Sequence, residues 1–420
     1  MERLYNLLLW LLTPAALLRL LWRSRRLPAY RQRWRERLAR YDRPPPQAEV
    51  WLHAVSVGEV QAAQPLIRHL CAGDPPRRLL VTTTTPTGAE RLAGLSPEPI
   101  PHLYTPFDLK PVIARFLDRV RPRLVVIMET EVWPNLLRAC EARGIPVILA
   151  NARLSERSAR GYARLGRFAG ETFARFHCIA AQAEADAARF RALGAPPDRV
   201  CVTGSVKFDL RLPASLIERA EVMRRHWGSE RPVWVAASTH AGEEEQVLAA
   251  HAQVRRQWPA ALLVLVPRHP ERFERVAALV ARRGLTLVRR SAELPCTPET
   301  AVFLGDSMGE LPAFLAAADA AFIGGSLVAV GGHNPVEAAA LGIPVVIGPH
   351  VFNFASITEN LLAEEAAVQV ADARALGRQI AIWLGDATER ARIGENGQRV
   401  VASNRGATQR LIALVDERLG

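Results

Sequence analysis

A chain of 420 residues has room for two or three domains, and 49% hydrophobic with 23% charged residues excludes wholesale disorder. Cys71, Cys140, Cys178, Cys201 and Cys296 are odd in number and lack metal spacing, which excludes a disulfide framework and fits reduced, cytosol-facing thiols. Of the net charge of +12, residues 1–43 hold +8, with eleven arginines against Glu2, Glu36 and Asp42; the remaining body is near neutral and lacks the basic stripes of a nucleic-acid binder.

Residues 4–22, LYNLLLWLLTPAALLRLLW, are strongly apolar, and arginines 23, 25, 26, 31, 33, 35, 37 and 40 follow. Pro14 and Arg19 interrupt the run, and no small-residue cleavage site follows it. Two readings stand: an interfacial anchor with arginines on anionic headgroups, or a short single span. Either keeps the following domains on the cytoplasmic side. An amphipathic helix packed on the domain is the bland alternative.

After a linker at 42–47, short apolar runs alternate with helical patterns. Strands are predicted at 49–57, 77–85, 123–131, in IPVILANAR, in HCIAA and at 199–209, with helices between them. A polar, helix-bearing stretch at 209–232 separates this half from a second of the same rhythm, with strands in PVWVAAST, ALLVLVPRHP, LTLVRR, AVFLGDS, AAFIGGS, PVVIG and AAVQVAD. Two Rossmann-like α/β domains facing across a cleft are expected. The boundaries are 1–44 for the anchor and basic segment, 45–212 for the first domain, 213–230 for a hinge and 231–420 for the second, with one of the last helices a candidate to cross back. There is no Walker motif and no clean GxGxxG, which argues against a P-loop NTPase or an ordinary dehydrogenase.

Capping-box spacing recurs at strand–helix junctions, in Ser56-Val-Gly-Glu59, Ser307-Met-Gly-Glu310 and Asn334-Pro335-Val336-Glu337. The last lies in GGSLVAVGGHNPVEAAALGIPVVIG, residues 324–348, where glycines and free N–H groups ahead of a helix start would suit a phosphate, or form only a tight turn. Glu310 reads equally as cap and as phosphate-site residue. Glu59 follows a buried strand and has a glycine beside it, and reads as functional.

HAVSVGE, TTTTPTGAER, YTPFDL, METEVWPNL, NARLSERS, TGSVKFD, STHAGEE, LVPRHPERF, GDSMGEL and the 324–348 stretch continuing into GPHVFNF resemble the 3-deoxy-D-manno-octulosonic acid (Kdo) transferases of Gram-negative bacteria. The resemblance spans nearly the whole chain. It implies a GT-B glycosyltransferase that moves Kdo from CMP-Kdo to the lipid A precursor (lipid IVA), at the cytoplasmic side of the inner membrane, during lipopolysaccharide biosynthesis. The first domain would take the acceptor and the second CMP-Kdo. One or two Kdo units are expected, two being favoured. By the same resemblance Glu59 is the general base, and Glu129 and Lys207 stabilise the transition state. Pro267, Arg268, Met308, Gly309, Glu310, Asn334, Pro335, Val336 and Glu337 line the CMP site.

The chemistry of these residue types agrees. A carboxylate can activate a hydroxyl for an inverting displacement, and Arg268 with helix N-termini can meet the leaving phosphate. Lys207, one of only two lysines beside Lys110, can act as a point charge. Glu129 reads either way, as a cation-orienting group or as a buried partner of an arginine. No Asp-x-Asp pair or His/Asp cluster suggests a metal site, so transfer without metal or other cofactor is expected. The alternatives are another GT-B enzyme with a different sugar nucleotide, a sugar-nucleotide epimerase among them, and a non-catalytic membrane-bound scaffold of that fold.

Overall fold

A computed structural model describes the chain except for Arg26, Asp74, Pro97 and Arg211, so Arg26 of the basic segment lies outside the described residues. The chain forms two compact units, Met1–Asp209 with Arg405–Gly420, and Leu210–Asn404.

The first unit is built on strands β1 (Val50–His53), β2 (Leu79–Thr83), β3 (His102–Tyr104), β4 (Leu124–Met128), β5 (Val147–Ala152), β6 (Cys178–Ala181) and β7 (Val200–Val202). They pair in parallel in the order β3-β2-β1-β4-β5-β6-β7. Successive side chains on a strand point to opposite faces, and both faces here carry a core. Trp51, Val125, Ile127 and Leu149 pack on one side with Phe116, Phe173 and Phe176. Val50, Leu52, Leu124 and Val126 pack on the other with Leu66 and Ile67 of helix Val57–Ala72. The three-residue edge strand β3 lies outside every predicted strand.

The second unit repeats the plan with β8 (Val233–Thr239), β9 (Leu262–Pro267), β10 (Leu287–Arg289), β11 (Val302–Leu304), β12 (Ala320–Ile323), β13 (Val345–Ile347) and β14 (Ala367–Gln369). The order is β10-β11-β9-β8-β12-β13-β14, again all parallel. Each sheet reverses direction of growth beside its first strand, between β1 and β4 in one and between β8 and β12 in the other. Loops diverge at such a switch point and leave a crevice at the carboxyl ends of the strands, where ligands bind in open α/β sheets.

Two segments depart from the predicted boundaries. The stretch expected as a hinge at 213–230 belongs to the second unit: its helix, Leu216–Trp227, ends on a buried Trp227 whose ring lies 5.4 Å from Phe303 and 6.2 Å from Phe314. The second unit also stops short of residue 420, because the C-terminal helix Ala407–Leu419 lies in the first unit, with Leu411, Val415 and Leu419 in its core. Asp209 holds that helix start, its carboxylate accepting from the N–H groups of Gly406 (2.6 Å) and Thr408 (2.5 Å).

Helix Glu2–Arg23 is long and apolar enough to cross a membrane and has no buried residue. Not all the arginines behind it are surface charges. Arg37 is buried, donates to the Thr84 carbonyl (2.8 Å) and lies over the Tyr104 ring, while Arg33 donates to Glu36 (2.7 Å) and to the His102 carbonyl (2.5 Å).

Candidate active site

In the first unit the predicted residues gather at the carboxyl ends of the strands. Glu59 sits in the first turn of helix Val57–Ala72, just beyond β1 and so at the switch point. One carboxylate oxygen accepts from the Val55 N–H (2.8 Å), and the other is 3.4 Å from the Ser56 hydroxyl; Ser56, the N-cap, makes no side-chain cap, so Glu59 braces the residue before the helix and the box itself does not close. Burial pushes its pKa up to about 8; the Val55 bond opposes this, and the charges of Glu129 and Glu131 add to it. A carboxyl tuned to that range can exchange a proton with a sugar hydroxyl near neutral pH.

Glu129 follows β4 on the other side of the same switch point and is buried. Its φ of 59° lies in the left-handed region, uncommon for a side chain with a Cβ and characteristic of functional sites. Both carboxylate oxygens of Glu129 are paired: one accepts from Arg153 Nε (3.0 Å), and the other is 3.6 Å from Lys207 Nζ. Lys207 stands in a short 3-10 turn, Val206–Phe208, after β7. Burial pulls its pKa down; Glu129 opposes this and Arg153 reinforces it. The turn is braced by Asn151, itself at φ 50°, whose side-chain oxygen accepts from the Val206 N–H (3.2 Å).

In the second unit Arg268 follows β9, is exposed, and forms no ion pair with a described residue; only its backbone N–H is engaged, by the Thr239 carbonyl (3.0 Å). Pro267 is buried as the last residue of β9. Met308 is exposed, and Gly309 (φ 81°) turns the chain toward Glu310. The box spacing predicts a helix from Met308, but the helix runs Leu311–Ala316. The Glu310 carboxylate is instead taken by Ser307 (2.5 Å), Arg290 (3.0 and 3.1 Å) and Arg219 (3.3 Å). Burial opposes ionisation there, yet the Ser307 hydroxyl and the arginines hold the carboxyl below its ordinary range.

The glycine-rich loop is held from below: the Gly325, Ser326 and Leu327 N–H groups donate to the fully buried carboxylate of Glu243 at 2.7–3.0 Å. These three N–H groups are therefore engaged from inside the protein. Gly324 has no alternative residue, since a Cβ there would lie 2.6 Å from the Ser238 carbonyl. Asn334 accepts from the Val336 N–H (3.2 Å), and the helix starts at Val336, with Pro335 as its N-cap. Glu337 does not reach back to cap it; half-buried and without a hydrogen bond to any described residue, its carboxyl is pushed up by desolvation. Beside this loop His240 and His333 meet Nε2 to Nε2 at 2.8 Å with rings 6° from parallel.

The structure thus brings Glu59, Glu129 and Lys207 together in the first unit, and sets Arg268, the 308–310 turn and the 334–337 helix start at strand ends of the second. Arg153, Glu243 and the histidine pair are the residues that sequence reasoning left unassigned, although they stand in the quoted motifs NARLSERS, STHAGEE and GGHNPVE.

Two parallel doubly wound units with polar groups at the carboxyl ends of their strands define the two-domain fold of the GT-B type. A solved UDP-GlcNAc 2-epimerase from Neisseria meningitidis shares the fold, with a TM-score of 0.61 at 14% identity over 88% of this chain and 99% of that one. Residues 237–400 match the family described as glycosyl transferases group 1, and residues 32–210 match 3-deoxy-D-manno-octulosonic-acid transferase. Among curated proteins, the 3-deoxy-D-manno-octulosonic acid transferase of Haemophilus influenzae is 43% identical over 393 residues, 92% of each chain. That of Bordetella pertussis is 39% identical over 385 residues, 90% of this chain and 89% of its own. The chain belongs to the 3-deoxy-D-manno-octulosonic acid transferase family.

Proposed function

We propose that the enzyme moves Kdo from CMP-Kdo to the lipid A precursor at the cytoplasmic face of the inner membrane, adding one or two units, with two favoured. The observation that carries this reading is the cluster at the first switch point. There a carboxyl with a pKa raised to about 8, Glu59, stands with the Glu129–Lys207 pair. In the proposed step Glu59 takes the proton of an acceptor hydroxyl as its oxygen attacks the anomeric carbon. The bond from that carbon to the CMP phosphate breaks, CMP leaves with the electron pair, and the configuration inverts. Lys207, oriented by Glu129, offsets negative charge on the donor as the bond breaks.

In the second unit the free guanidinium of Arg268 supports phosphate binding, with backbone groups of Met308, Gly309 and Glu310 lining the nucleotide beside Pro267. Asn334, Pro335 and Val336 form the helix start that presents Glu337, and its unbonded carboxylate suits the ribose hydroxyls. The exposed apolar helix Glu2–Arg23 supports membrane attachment.

The test is transfer from CMP-Kdo, generated in situ, to a tetraacylated lipid A precursor in the presence of a chelator, read by mass spectrometry. Added masses of one or two Kdo units with wild type, absent with Glu59→Ala that still binds CMP, are expected. A folded, membrane-bound protein with no product, or product from UDP-sugars alone, overturns the assignment.

A further inference from the structure

We infer that helix Glu2–Arg23 lies flat in the surface of an anionic bilayer leaflet and does not cross it; this rests on the membrane reading above. Length does not decide the matter, because 22 residues at about 1.5 Å each reach roughly 33 Å, enough for either. The contacts of its first turns do. Glu2 pairs with Lys110 (2.8 Å) and with Arg138. The Tyr5 hydroxyl donates to the buried carboxylate of Asp108 (2.7 Å), which also accepts from the Asn135 and Leu136 N–H groups at the start of helix Pro134–Glu141. Asn6 accepts from the Asn135 side chain (2.8 Å), and Leu9 packs against the core that contains Leu136 and Leu137.

The other end is fastened to the same unit. Arg23 lies over the Tyr30 ring, and Arg33 and Arg37 bond to His102 and Thr84. A spanning helix would put Glu2, Tyr5 and Asn6 across the bilayer from Asp108, Lys110 and Asn135, and every one of these bonds would be lost. A desolvated Asp108 stripped of its Tyr5 partner adds to that cost.

Accessibility along the helix agrees. The partly covered positions are 2, 5, 6, 9, 13, 16, 17 and 20, a single stripe at helical spacing that continues the docked face along the whole length. The opposite face exposes Leu4, Leu7, Leu8, Leu11, Leu12, Leu18 and Trp22. Arg3 and Arg19 flank it, and exposed Arg23, Arg25 and Arg31 follow, so a row of cations rims an apolar strip. This suits acyl chains bordered by anionic headgroups.

The experiment places a cysteine at Arg3 and applies a membrane-impermeant maleimide to intact spheroplasts, with the unaltered protein and its native thiols as background. Labelling at background level in intact spheroplasts that rises several-fold after permeabilisation is the expected result. Labelling of Arg3→Cys from outside overturns the inference and leaves the membrane reading standing. Failure of the purified protein to co-sediment with phosphatidylglycerol-containing vesicles overturns the membrane reading itself, and the inference with it.

Discussion

At Glu59 a carboxylate is half withdrawn from water and faces two further carboxylates, Glu129 and Glu131, while one backbone N–H supports its charged form. With the pKa raised to about 8, the group is mostly protonated at neutral pH in the empty enzyme and gains its capacity as a base as pH rises. The expected kcat/KM therefore climbs roughly tenfold per pH unit below about 8 and levels above it, and Glu59→Gln flattens the profile with a loss of about 10²–10⁴-fold. Stability carries the same signature. A folded pKa above the unfolded value contributes stability that is complete below about 4.5 and is lost as pH rises toward about 8. Relative to wild type, Glu59→Gln should thus have a higher urea midpoint at about pH 9 than at about pH 4, and equal differences at both would show that the carboxyl is not perturbed. Composition and spacing led to Glu59 through its strand–glycine–helix setting. Glu129 and Lys207 entered only through motif resemblance, because their meeting depends on strand order: β4 and β7 lie three places apart in the sheet, and no local pattern reports that.

Strands were the most legible elements. Runs of Val, Ile and Leu buried on both faces announce central parallel strands, and the seven of the second unit all fall within predicted runs. β3 was not legible because it is three residues long, sits at the sheet edge and lies among Pro99, Pro101 and Pro106. Helix starts were legible as places but not in register. Ser307 and Glu310 bond to each other, so the helix begins after them, and the Asn334 side chain turns the chain before Val336. The cap at the C-terminal helix was invisible to local reading, since its acceptor, Asp209, stands about two hundred residues earlier. Asp209→Ala leaves two helix-start N–H groups without a protein acceptor and is expected to lower stability by about 1–2 kcal/mol, measurable as a fall in the denaturation midpoint.

The whole molecule holds two sheets, each with its own apolar core, and the chain passes between the units twice, at 209–210 and 404–405. Separate cores predict separate unfolding, and calorimetry should resolve two transitions. Ending the chain at Asn404 strips Leu411, Val415 and Leu419 from the first core, at about 1.5–3 kcal/mol for each buried side chain. Only the transition of the first unit should fall; a shift of both would mean that the units unfold as one. The alternation of strands and helices made two α/β halves legible and marked one of the last helices as a candidate to cross back, without fixing which one.

That return also sets an order of events during synthesis. The first half of the chain emerges first, apolar helix Glu2–Arg23 included, yet its core waits for residues 405–420. At about 5–20 residues per second, the ribosome supplies those residues roughly 10–40 s after Asp209. Throughout that interval the nascent first unit lacks its closing helix, and the half made second has all of its own sequence before the half made first.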